Sequence, residues 1–147
     1  MYKRLLVPVD GGDLSDRAIP ASLELARQLG ATVVGFVAEP QPPIPSSPRT
    51  EALLRDELRQ HSASTKAHAQ TILARFEEAA REAGVPFEGW HDEVPRVHKA
   101  IIAAAESRSC DMIIMVTHGR GAFGEFLFGS QTKAVLAESQ IPLLVLH

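Results

Sequence analysis

The sequence predicts one α/β domain built on an open parallel five-stranded sheet that is doubly wound, with helices on both faces. Three observations predict it. Five short apolar runs alternate with helical patterns, four of those runs are apolar without interruption, and 147 residues suit a single core. Uninterrupted apolar runs belong to strands covered on both sides, whereas half-exposed strands alternate.

LLVPV at 5–9 is the first strand. Ala18, Ser22, Leu25, Ala26 and Leu29 then recur at helical spacing, with Pro20 near the helix start and Gly30 as its stop. TVVGFV at 32–37 is the second strand. The proline-rich stretch at 40–48 is too short to separate domains. It reads as a stiff surface loop, with Ser47 or Thr50 available as the next N-cap. The longest helix covers about 50–83, with Leu54, Leu58, Thr65, Ala69, Ile72, Phe76, Ala79 and Ala83 on one face and Gly84 as its end. VPFEGW at 85–90 is a weaker strand, whose Pro and Gly mark an edge. A third helix opens at Pro95 and buries Val97, Ile101, Ala104 and Ala105, and MIIMV at 112–116 is the fourth strand. The last helix starts near Gly129 and Ser130 and buries Thr132, Val135 and Leu136, ahead of the fifth strand, Leu143 to Leu146. This alternation implies right-handed crossovers. One domain spans 1–147, without an internal repeat.

Composition excludes several function classes. A net charge of −3 supplies no basic stripe for nucleic acid. No apolar run nears the roughly 20 residues that span a bilayer, so no membrane association is expected. The N-terminal apolar segment stops at Asp10, too early for a signal peptide. Cys110 is the lone cysteine, which rules out a disulfide framework and points to the cytoplasm.

In doubly wound sheets, ligands bind beyond the C-terminal strand ends where strand order reverses, here strands one and four. Strand one runs out in Pro8, Val9, Asp10, Gly11 and Gly12. Strand four runs into a long connection, 117–128, carrying Gly119, Gly121 and Gly124, with Gly129 just beyond. Connections of this kind usually take about 2–6 residues, and longer ones tend to be functional. Glycines let backbone N–H groups converge on an anion, and the helix opened by Gly129 and Ser130 adds its positive end. Ser130 offers a hydroxyl, Arg120 a cation, and Asp10 a carboxylate for ribose hydroxyls or, through water, a divalent ion. The same glycines could equally do no more than shape a loop that Ser130 caps.

The spacing Gly119, nine residues, Gly129–Ser130, after Thr117 and His118, resembles the phosphate-loop signature of the universal stress protein family. Val7 to Gly11, Cys110–Asp111 and Ile141 to Val145 support the resemblance, which covers the whole chain. It implies an adenine nucleotide alpha hydrolase-like sheet of strand order 3-2-1-4-5. It also implies ATP or another adenine nucleotide as ligand, with Mg or Mn. By position it places Pro8, Val9 and Asp10 at the base and ribose, and Val37 against the adenine. Met115, Val116, His118, Gly119, Arg120, Gly129, Ser130 and Gln131 fall around the phosphates. No residue is implied as catalytic or as a direct metal ligand. One departure stands out: the signature's first glycine is here Val116, whose branched side chain crowds the space and disfavours positive φ.

Other constellations are weaker. Asp10, His118 and Ser130 share a rim, but residues 128–132 lack the G-x-S-x-G elbow of a hydrolase. His61 and His68 are separated by about 10 Å of helical rise, too far for one metal ion. His91 is a minor candidate for the rim, and a receiver domain would want more carboxylates than Asp92 alone. Phe123, Phe126, Leu127 and Phe128 either anchor their loop or form a partner surface. An exposed fifth strand would be an aggregation hazard, and the resemblance implies a homodimer through Leu143 to Leu146. The expected function is a stress-response regulator that binds ATP and hydrolyses it slowly or not at all, with a protein partner the sequence does not name. The alternative is a dimeric interaction module that has lost nucleotide binding through Val116.

Overall fold

Leu5, Leu6 and Val7 are fully buried and point alternately to opposite sides of the sheet, the signature of a strand with helices above and below. The computed structural model describes residues 1–42, 44–117 and 129–147. In chain order the elements are β1 (Arg4–Pro8), α1 (Asp13–Leu29), β2 (Thr32–Pro40), α2 (Glu51–Ala83), β3 (Phe87–Val94), α3 (Val97–Ser107), β4 (Met112–Val116), α4 (Ser130–Glu138) and β5 (Leu143–Leu146). All strand pairs are parallel, in the order β3-β2-β1-β4-β5. The expected strand order therefore holds, and it reverses direction between β1 and β4.

On one face Leu5, Val7, Val33 and Val37 pack against Ile19 and Leu23 of α1 and Ile72 and Phe76 of α2. On the other, Leu6, Val34, Phe36 and Ile113 meet Ile101 and Ala105 of α3 and Val135 of α4. Gly35 is required by close approach: a Cβ there would stand 2.8 Å from the Phe87 ring and 3.1 Å from Phe76. Those two rings lie 4.9 Å apart across β2, an aromatic pair that exists because β2 presents no side chain at that point. At the opposite sheet end Asp111 accepts bonds from the amides of Lys3 (2.8 Å) and Arg4 (3.0 Å), tying β4 to β1. Burial pushes the Asp111 carboxyl up, but those bonds outweigh it and hold the group below its usual range.

Several expectations are corrected. β3 runs to Val94 rather than Trp90, because β2 itself continues to Pro40 and templates the longer partner. Val85 is not in the strand: it is buried, and its N–H bonds Ala80 O beyond the left-handed Gly84 cap. α1 begins at Asp13, which places Pro20 inside the helix rather than near its start. The expected buried face of α2 fails in its N-terminal half, where Leu58 is exposed and burial is confined to Ala69 through Ala80. Thirty-three helical residues extend about 50 Å, whereas nine strand residues cover about 30 Å, so the helix outruns the sheet. Thr50 does cap it, its hydroxyl accepting the Leu53 N–H. α3 opens at Val97 rather than Pro95, and Leu136 is exposed rather than buried.

Candidate functional site

At the end of β1 a buried hydroxyl organises the turn. Ser15 Oγ accepts the N–H groups of Asp10 (2.7 Å) and Gly11 (3.0 Å) and donates to Asp10 Oδ1 (3.0 Å). Gly12 N–H donates to the same Oδ1 at 2.9 Å. One carboxylate oxygen of the exposed Asp10 is thus committed to the turn, and Oδ2 has no hydrogen bond among the described residues. Gly11 sits at φ +83°, and a Cβ there would strike Ile72 of α2 at 3.0 Å. The turn therefore adopts the left-handed conformation while lying directly under α2, two conditions that glycine alone meets without strain.

At the end of β2, Val37 is buried and in register with His91. Val33 N–H bonds Pro86 O toward β3, whereas Phe36 O accepts the Val9 N–H from the β1 side. Alternate residues of a strand direct their polar groups to opposite neighbours, so the Val37 backbone serves the β3 ladder. Ala38 is next in phase toward β1, but the β1 pairing has already ended at Pro8 and Phe36. Its N–H and C=O consequently face the crevice. Just beyond, the buried Glu39 carboxylate bonds His91 Nδ1, which removes His91 from the rim and locks the tips of β2 and β3 together.

At the end of β4, Met115 and Thr117 are buried, and Thr117 N–H bonds Leu146 O at 2.8 Å. Val116 is the last strand residue, in register with Leu146. It lies in extended backbone, which valine favours, and outside the positive-φ set. His118, Gly119 and Arg120 lie outside the described residues, as do Phe123, Phe126, Leu127 and Phe128. Gly129 is the N-cap of α4 at φ −52°, with no side-chain cap, and Ser130 and Gln131 begin the helix exposed. Among the described residues, a Cβ on Gly129 would meet nothing within 4 Å, and none of them stands against that face of the first turn of α4.

Two grooves among the described residues lie elsewhere. One groove of about 510 Å³ runs between α1 and α2 beside Leu23 and Ala79, and another of about 430 Å³ lies by Trp90 and α3. Both are side grooves, away from the crevice between β1 and β4. Cys110 is buried, and burial pushes its thiol up to about 11, which leaves it protonated and unreactive at neutral pH. Among the described residues no three His, Cys, Asp or Glu side chains gather to hold a metal ion. Nor, among them, is any helix long and apolar enough to cross a membrane.

The reading from sequence missed Ser15 and Arg17. Both lie in the first turns of α1, and Arg17 Nη1 approaches Thr117 O at 3.5 Å across the strand-order reversal. A serine one helical turn after an Asp-Gly-Gly turn was the available signal for the first.

These features define a class: a doubly wound α/β protein whose strand order turns back between β1 and β4. Within that class, the chain belongs to the universal stress protein family, whose family model matches residues 1–147. It is 33% identical over 148 residues to "Universal stress protein in QAH/OAS sulfhydrylase 3'region" of Thermus aquaticus, covering all of both chains. A solved structure from the family in Burkholderia pseudomallei aligns at TM-score 0.75 and 22% identity, over 98% of this chain and 95% of that one. A universal stress protein from Archaeoglobus fulgidus, solved in complex with dAMP, aligns at TM-score 0.67 and 19% identity, over 99% and 98%.

Proposed function

We propose that this protein binds an adenine nucleotide, ATP foremost, at the crevice between the ends of β1, β2 and β4, and that it acts as a cytoplasmic stress-response regulator rather than an enzyme. The observation that carries this reading is the Ala38 backbone, which has no partner on the β1 side among the described residues, beside the Ser15-locked Asp10 turn. One N–H and one C=O on the same extended residue match the acceptor and donor on the Watson–Crick edge of adenine. The Oδ2 of Asp10, without a hydrogen bond among the described residues, suits ribose hydroxyls, and the uncapped N-terminus of α4 at Gly129 and Ser130 suits phosphates. The dAMP complex of the Archaeoglobus fulgidus relative supports the ligand class. A Mg or Mn ion would arrive on the phosphates, with Asp10 contributing through water.

Binding rather than turnover is proposed because Asp10, the one carboxylate at the crevice with a clear role, is committed to its turn. Among the described residues, none is held where it could act as a general base. The homodimer is proposed through β5, whose four residues are each half-buried in the single chain and whose outer edge has no neighbouring strand in the sheet.

Denaturing the purified protein and identifying the released solute by chromatography and mass tests the ligand class. Recovery of an adenine nucleotide supports the reading. No co-purified nucleotide, together with no saturable ATP binding at millimolar concentration, assigns the chain instead to the dimeric interaction module. Light scattering at micromolar protein tests the dimer.

A further inference from the structure

Among the described residues, Arg17 is an arginine beside the end of β4 with no strong partner. It lies in the second turn of α1, is exposed, and reaches from that helix to the end of β4. Its bond to Thr117 O is 3.5 Å long, at the outer limit of a hydrogen bond. Among the described residues no carboxylate pairs with it, although acidic groups surround it in sequence. Asp16, its neighbour, is taken by Arg75 of α2 at 2.5 Å. Asp13, four residues earlier on the same helix, stands where an i,i+4 ion pair could form, and none is made.

The electrostatics of the crevice give this cation a task. Asp10, after the end of β1, and Asp13, the first residue of α1, are two exposed carboxylates close together in the chain. A polyphosphate entering between β1 and β4 would meet their repulsion, which the helix end of α4 offsets only locally. A guanidinium crossing to Thr117 supplies positive charge at the end of β4, on the other side of the strand-order reversal from β1. Its planar fork retains donors for two phosphate oxygens at once. Thr117 O acts as a rest, orienting the side chain without neutralising it.

We infer that Arg17 is a phosphate-contacting residue that makes affinity depend on the number of phosphates the ligand carries. The inference deepens the nucleotide reading and rests on it. Adenosine, which has no phosphate, takes nothing from Arg17; ATP takes the most.

The test is a calorimetric titration of wild type, Arg17→Gln and Arg17→Lys with adenosine, AMP, ADP and ATP at low salt, with thermal melting as the folding control. In R17Q, ATP affinity is expected to fall about tenfold while adenosine stays within about twofold. R17K should recover part of the loss, since it keeps the charge but not the fork. Added salt should narrow the gap between wild type and R17Q. Unchanged ATP affinity in R17Q overturns the role of Arg17 and leaves the nucleotide reading standing. Adenosine and ATP falling in step overturns it too, by assigning Arg17 a structural part. A wild type that binds neither ligand refutes the nucleotide reading and the inference together.

Discussion

Replacing Ser15 with alanine tests whether one buried hydroxyl holds the turn on which the crevice depends. The side chain fills a buried position, so truncation leaves the backbone path of α1 unchanged. Three hydrogen bonds are lost: two accepted from the amides of Asp10 and Gly11, and one donated to Asp10 Oδ1. Each is worth about 0.5–1.5 kcal/mol net. The two amides belong to exposed residues that water can partly serve, so the sum is discounted to about 2 kcal/mol. For a chain of this size that lowers Tm by about 4–8 °C. Urea unfolding should show a lower midpoint with an unchanged slope, because the surface exposed on unfolding is the same. ATP affinity should fall about tenfold as Asp10 loses its fixed orientation. A stability loss under about 0.5 kcal/mol, with unchanged amide exchange at Asp10 and Gly11, would refute the argument that Ser15 organises the turn.

Three further outcomes follow from the same geometry. Gly129→Val should leave Tm unaltered, since φ is −52° and a Cβ meets no described residue within 4 Å, yet abolish ATP binding by crowding the phosphates at the start of α4; calorimetry and melting together check it. Gly35→Ala should cost about 2–3 kcal/mol in urea unfolding, because its Cβ would press on the Phe87 and Phe76 rings at 2.8 and 3.1 Å. Stability should also fall in acid. The Arg4 guanidinium lowers the Glu88 carboxyl against the opposing effect of burial, Arg108 assists, and Asp111 is lowered as described above. A carboxyl lowered in the folded state contributes fully above its unfolded pKa and loses that contribution as pH drops through the folded value. The loss should therefore appear below about pH 5, and Asp111→Asn should flatten it in a pH series of urea midpoints.

The core strands were legible because buried parallel strands write themselves as uninterrupted apolar runs such as MIIMV, whereas the strand order 3-2-1-4-5 came from the family resemblance. The true start of α1 was not, since Gly12 caps it without a side-chain bond and its first residues are charged. Reading that helix from Ala18 hid Ser15 and Arg17 in an apparent loop. β3 was misplaced because an edge strand takes its length from its neighbour, and no local pattern in residues 91–94 records that β2 continues to Pro40. The Glu39–His91 contact was invisible for a related reason: it depends on cross-strand register. Position along the chain likewise does not reveal which side of β2 the Val37 backbone amide faces. Register assigns that amide to β3 and directs the Ala38 amide into the crevice.

The most direct test is to titrate ATP into the 15N-labelled protein and map which amide resonances move. Binding at the proposed crevice predicts saturable shifts at Asp10 to Ser15, Ala38, Thr117 and Gly129 to Thr132. A silent spectrum at millimolar ATP, or shifts gathered along the groove beside Trp90 and α3, would contradict it.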